Sequence, residues 1–193
     1  QHYVMKVEVG SDGGGASDYY GMAYHQSWET THMDALSHNW NQDGMWDGRD
    51  PDEEISSSSS GYGSVDNFSD GIITRGVLLN VPKHRGKSYV TQEEPVHGWE
   101  LEDIVKEQDV TLEPGDALVV YSNREGYVKD HGFWGPSPRP GLHASCLPFI
   151  RENDISILVW DMMDAKPNEY TEMPIVHMAI NAYGVALLDN SLL

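Results

Sequence analysis

The sequence predicts an α/β or α+β sandwich, and three observations carry that reading. Several short runs rich in Val, Ile and Leu read as strands, chief among them residues 72–80, 117–121 and 155–160. Only three short segments have helical character, at 99–108, 142–152 and 176–182, which is too little helix for a bundle. At 193 residues the chain is long enough for one domain with its own core and too short to make two the default. Residues 1–193 are therefore taken as a single domain, with no internal repeat.

Each element has a local reason. Residues 4–9 alternate apolar and polar and read as a half-buried strand. Residues 10–16 form a Gly-rich turn, and a second extended stretch covers 19–28. From 41 to 70 the chain turns polar, with Gly44, Gly48, Pro51 and five consecutive serines from Ser56. Such a stretch buries too little apolar surface to offset its ordering entropy and is read as a long loop. The 99–108 helix carries Glu100, Glu102 and Asp103 in its first turn, where the helix dipole favours negative charge. Leu112-Glu113-Pro114-Gly115-Asp116 is a turn feeding the 117–121 strand. Pro140 and Gly141 are expected to open the 142–152 helix, and a last strand falls at 185–188. Arg75, within the 72–80 strand, needs a carboxylate partner and is read as half of a structural ion pair.

The net charge of −19 disfavours nucleic acid and anionic membranes as partners, because both need clustered Lys and Arg. One cysteine, Cys146, rules out an intrachain disulfide framework and is read as a packing residue. No apolar run approaches a bilayer span, and the first residues lack the pattern of a signal peptide. A cytoplasmic protein is expected, and the absence of an initiator Met points to a processed or partial chain.

Thr31-His32-Met33-Asp34-Ala35-Leu36-Ser37-His38 is the most informative segment. On extended backbone His32 and Asp34 point the same way. If a helical turn starts there, His38 lies on the face of Asp34. Imidazole nitrogen with carboxylate oxygen suits Zn²⁺, Mn²⁺ or Fe²⁺ better than Ca²⁺. Spacing alone favours surface or N-cap residues on an ordinary helix.

The wider pattern decides between them. Thr31-His32-x-Asp34-Ala35-x-x-His38 resembles the signature of the cyclase family, which includes bacterial kynurenine formamidases and isatin hydrolases. Asp43-Gly44-Met45-Trp46-Asp47-Gly48 resembles that family's Asp-Gly-x-x-Tyr-Asn-Gly loop. The run from Gly71 to Asn80 is similar to its Gly-Ile-x-Thr-Arg-Gly-Val-Leu-Leu-Asp strand. Leu112–Asp116, Pro140-Gly141-Leu142, Pro174-Ile175-Val176-His177 and Leu187-Leu188-Asp189-Asn190 follow in order. The resemblance implies a swivelling β/β/α sandwich, an α/β architecture of mixed sheets and a few short helices, assembled as a homodimer or larger homo-oligomer.

It also implies that His32, Asp34 and His177 ligate one divalent ion, Mn²⁺ or Zn²⁺. His38 would be the acid/base group or a ligand of a second ion, and Asp189 would handle protons or hold a second ion. Dinuclear members carry a His where this chain has Trp28, so a single-ion site is expected. Trp28, Trp40, Trp46 and His25 are candidates for the pocket wall. His84, His97, His131 and His143 have no supporting pattern. The implied reaction is hydrolysis of an amide, lactam or ester bond of a small aromatic or cyclic molecule. A silent binding or assembly module and a metal-dependent lyase or dehydratase are the alternatives.

Overall fold

The computed structural model describes residues 2–8, 14–20, 30–135, 137–170 and 174–193. Two compact units are distinguished, residues 1–30 and 31–193. In the first, β1 (His2–Glu8) pairs antiparallel with β2 (Gly14–Tyr20), His2 opposite Tyr20. The expected strand at 4–9 is present here. The expected extended stretch at 19–28 falls mostly outside the described residues, as do His25 and Trp28.

The second unit is built on a mixed five-stranded sheet. Its elements in chain order are β3 (His32–Asp34), α1 (Pro51–Glu54), β4 (Gly76–Asn80), α2 (Val81–Arg85), α3 (Gly98–Glu107) and β5 (Ala117–Tyr121). There follow α4 (Arg124–His131), β6 (Gly141–Leu142), α5 (Cys146–Glu152), β7 (Ile157–Trp160), β8 (Met163–Asp164), α6 (Ile175–Ala182) and β9 (Ala186–Asp189). The strand order is β3-β9-β7-β5-β4. β4, β5, β7 and β9 run parallel, and β3 closes one edge antiparallel to β9. A mixed α/β architecture was the expectation, and this is one.

The central strands are apolar on both faces, as parallel strands covered by crossovers should be. Leu79, Leu118, Val120, Leu158 and Leu187 are buried together with Leu101 and Ile104 of α3, Ile150 of α5 and Ile180 of α6. On the other face a smaller cluster of Ala117, Ile157 and Ala186 is flanked by half-buried Met33, Phe68, Val159 and Leu188.

Three expectations are corrected. The strand expected over 72–80 begins only at Gly76. Ile73 is fully exposed, and Arg75, just ahead of the strand, grips Asp116 with Nε and Nη2 at 2.9 and 2.6 Å. That ion pair ties the entry of β4 to the turn before β5. The helix expected from 142 begins at Cys146, because Gly141 and Leu142 instead pair with Met163 and Asp164. Gly141 has φ 148°, and a Cβ there would lie 1.6 Å from the Met163 carbonyl oxygen, so the backbones meet where only glycine fits. The polar stretch 41–70 has no strand of the main sheet but does hold α1 and two 3-10 turns, at Trp46–Gly48 and Val65–Phe68. No helix among the described residues is long and apolar enough to cross a membrane.

Candidate metal centre

Parallel strands present their C-terminal ends at one edge of the sheet, the usual location of α/β sites. Asp189 is the last residue of β9 and Trp160 the last of β7. Because β3 runs the opposite way, its first residue, His32, lies at that same edge, directly across from Asp189. Directly opposed residues share a sheet face, and so does the residue two along. Asp34 therefore joins them, while Met33 points to the other face. Thr31 fastens this register: its hydroxyl donates to the Asn190 carbonyl and accepts from the Leu192 N–H, both at 3.1 Å.

One ligand atom from each of His32, Asp34 and Asp189 lies within 4.8 Å of the other two. His32 Nε2 is 3.4 Å from Asp34 Oδ1 and 3.8 Å from Asp189 Oδ2. α6 supplies a fourth group: His177 Nε2 stands 3.8 Å from Asp34 Oδ2 and 3.6 Å from Asp189 Oδ2. Donors each about 2.1 Å from a tetrahedral ion are roughly 3.4 Å apart. Two imidazoles and two carboxylates converging at these separations form a set that could hold a metal ion.

Two of these donors, His177 and Asp189, are held from behind. Asp164, fully buried on β8, accepts from the Val176 and His177 backbone N–H groups at 2.6 and 3.2 Å, capping α6. Its other oxygen takes the proton of His177 Nδ1, which leaves Nε2 turned toward the site. Arg139, buried beside it, places Nη2 3.6 Å from the same carboxylate. Asp189 is pinned on both oxygens, by Trp160 Nε1–H on one and by Asn190 Nδ2 at 2.6 Å on the other. The Trp160 ring lies against His177, with centroids 5.1 Å apart.

Electrostatics follow from this packing. Burial disfavours the Asp164 anion, but the charges of His177 and Arg139 and the hydrogen bonds it accepts outweigh burial and hold its pKa below the ordinary value. Burial alone would lower His177; Asp164 and then Asp189 overcome it and raise its pKa to about 10. A cation entering the site thus replaces a proton. His38 stands at the rim, its side chain about one-third exposed, with Nε2 4.0 Å from Asp34 Oδ2. Burial, helped by His177 and His32, holds it below the usual imidazole value against the pull of Asp34 and Asp189. The turn that places it is closed by the His38 N–H to Ala35 carbonyl bond and the Ser37 N–H to Gly63 carbonyl bond.

The structure thus brings together His32, Asp34, His38, His177 and Asp189 of the residues singled out from sequence. Asp189, expected to handle protons or hold a second ion, is one of the three residues whose donor atoms converge and could hold a metal ion. Trp46 stacks on Tyr62 at 5.4 Å and packs against Gly184. Trp40 is about half exposed and lines a cleft with Asn41, Asp43 and Arg49. Asp164, Trp160 and Arg139 were not found from sequence. Trp160 closes the 155–160 run, which was read only as a strand; Arg139 and Asp164 sit in no patterned segment, and Asp164 lies 13 residues ahead of the His177 it holds.

A family model described as "Putative cyclase" matches residues 19–167. The chain belongs to this cyclase family. Within it, the present cyclase chain is similar over 98% of its length to a crystal structure described as a novel cyclase, with TM-score 0.71 and 22% identity, covering 66% of that chain. It is also similar over 98% of its length to isatin hydrolase A from Labrenzia aggregata bound to benzyl benzoate, with TM-score 0.57 and 14% identity over 70% of that chain. An isatin hydrolase bound to the product analogue thioisatinate matches at TM-score 0.56 and 14% identity, covering 68% of that chain. The cyclase chain thus spans about two thirds of the length of these structures and shares their fold. A search of curated proteins gave no match. The family match holds His32, Asp34 and His38 but stops short of His177 and Asp189, which only the fold returns to them.

Proposed function

We propose that this chain is a metal-dependent hydrolase that cleaves the amide, lactam or ester bond of a small aromatic or cyclic substrate. The observation that carries the reading is the convergence of four buried or nearly buried donors, His32, Asp34, His177 and Asp189, beside a rim histidine. These four would hold one divalent ion, and their mix of nitrogen and oxygen suits Mn²⁺ or Zn²⁺. Such an ion, when bound, polarises a substrate carbonyl and acidifies water.

The chain's own groups supply the rest. Asp164 keeps the lone pair of His177 facing inward, and Trp160 with Asn190 keeps Asp189 from turning away. His38, kept neutral near pH 7 by its surroundings, accepts a proton from the attacking water and returns it to the departing nitrogen or oxygen. Likeness in fold to isatin hydrolases supports a cyclic amide as the first substrate class to try.

The test is metal content by elemental mass spectrometry, paired with turnover of aryl formamides and lactams. Wild type is expected to hold about one ion per chain, and Asp34→Ala to hold none. Replacing His38 by Ala should keep the ion and lower turnover roughly 100-fold or more. Full metal retention by Asp34→Ala overturns the ligand assignment, and full turnover by His38→Ala removes it from the mechanism. Incorporation of oxygen from labelled water separates hydrolysis from elimination.

A further inference from the structure

A second cluster of reactive side chains shares no residue with the metal centre. It is assembled where the start of α3 meets the segment between β6 and α5. Ser145 Oγ lies 3.0 Å from His143 Nδ1 and 3.1 Å from His97 Nδ1, and it accepts the Gly98 N–H at 3.1 Å. The Ser145 backbone N–H also donates to His143 Nδ1, at 3.1 Å. That nitrogen is therefore the bare one, and the ring proton sits on Nε2, 3.1 Å from Glu169 Oε2.

A hydroxyl has one proton, and the bare His143 nitrogen is its acceptor. His97 must then present Nδ1–H to the same oxygen. Ser145 Oγ consequently has a base on one side, a carboxylate behind that base, and two N–H donors, from Gly98 and His97, that favour the alkoxide. Burial and the neighbouring His143 hold His97 below the ordinary imidazole value, in keeping with a neutral ring that offers a single proton. Cys146, the adjacent residue, is the wrong nucleophile: it is buried, its pKa is driven up by burial, and its thiol faces the Val96 carbonyl.

Ser145 is half-buried rather than sealed. The next residue along α3 offers a surface for a ligand: Trp99 is 61% exposed, and its ring stacks on His97 at 6.1 Å and 13°. Both line a cleft of about 490 Å³ with Arg85, Glu94 and Glu100.

We propose that Ser145, His143 and Glu169 form a second, metal-independent nucleophilic site for carboxylic esters whose aromatic part rests on Trp99. Ser145 Oγ attacks the acyl carbon while its proton passes to His143 Nδ1. The bond from the acyl carbon to the alcohol oxygen breaks, and that proton leaves on the alcohol. Water then attacks the acyl-serine ester; its proton returns through His143 to Ser145 Oγ, and the carboxylic acid departs.

The same hydrogen bonds knit α3 to α5, so the test must separate reactivity from packing. Glu169 does so, because its side chain is 60% exposed and lies outside that knit. The full chain, with chelator present, is treated with an alkyl fluorophosphonate or p-nitrophenyl acetate and mapped by peptide mass spectrometry. A single adduct on Ser145 is expected. Its rate should fall roughly 100-fold or more in His143→Gln and about tenfold in Glu169→Gln, with the thermal midpoint of Glu169→Gln unchanged. Asp34→Ala, which disables the metal centre, should label at the wild-type rate. Absence of an adduct on Ser145, or equal labelling of wild type and both variants, overturns the proposal.

Discussion

At the residue scale the candidate metal centre is a matter of which atom each side chain is made to present. His32, Asp34 and His38 were candidates from the spacing of one short segment, and the family resemblance decided for them. His177 and Asp189 came from the family resemblance. Asp164 was legible from neither, since its role is to hold another residue's far side and such a partner leaves no spacing of its own. Its importance can be measured. Asp164→Asn keeps the size and a carbonyl acceptor, but removes the buried charge that fixes the His177 proton on Nδ1. Loss of such a partner should weaken metal binding about 10- to 100-fold. Competition titration against a metal-sensitive dye reads the change, and an unaltered affinity would mean that backbone packing alone orients His177. Trp160→Phe is the milder companion: the ring against His177 remains, while the hydrogen bond to Asp189 is lost.

At the scale of elements, composition found the strands that are apolar on both faces and the helices with a clear apolar stripe. Leu101 and Ile104 of α3 are such a stripe, and both are buried. It missed α4, whose sequence Arg124-Glu125-Gly126-Tyr127-Val128-Lys129-Asp130-His131 buries only Arg124 and Tyr127. That helix is held by its Asn123 cap and by Arg124, which donates to the Asn190 carbonyl at 2.8 Å, more than by any periodic pattern. It also misread the start of α5, because a Pro-Gly pair before an apolar run is equally good chemistry for a helix start and for a close strand contact. The contact is the one used, and it can be tested at Gly141. Its positive φ and the Met163 carbonyl both forbid a Cβ. Gly141→Ala should therefore destabilise the chain by about 2–3 kcal/mol or more, read from urea unfolding. A loss near zero would show that the β6–β8 pair shifts freely.

For the molecule as a whole, sequence gave the class but could not give the strand order. The decisive pairing joins Thr31 to Asn190, 159 positions away, and nothing local records a contact of that range. Whole-molecule charge was legible, and it bears on stability through buried carboxylates rather than through surface pairs. Asp161, fully buried where β7 ends, accepts from the Ser122 and Arg124 backbone N–H groups at 2.8 and 3.1 Å. Burial raises its pKa to about 6, and those hydrogen bonds offset the rise only in part. A carboxylic acid raised in the folded state gives stability that is complete below its ordinary value of 3.8 and is lost as the pH climbs through 6. The size at stake is on the order of 3 kcal/mol. His38 and His97, both lowered, act in the opposite sense over the upper part of that window, so the raw pH profile mixes the two. The difference between wild type and Asp161→Asn removes the histidines, which are common to both. Asn also forfeits one backbone acceptor, but that loss does not change with pH. The stability of wild type relative to Asp161→Asn, from urea unfolding of metal-free protein, should therefore rise as the pH falls from 7 to 4. A flat difference would mean that Asp161 is solvated well enough to ionise at its ordinary pKa, and that the turn after β7 is looser than its hydrogen bonds imply.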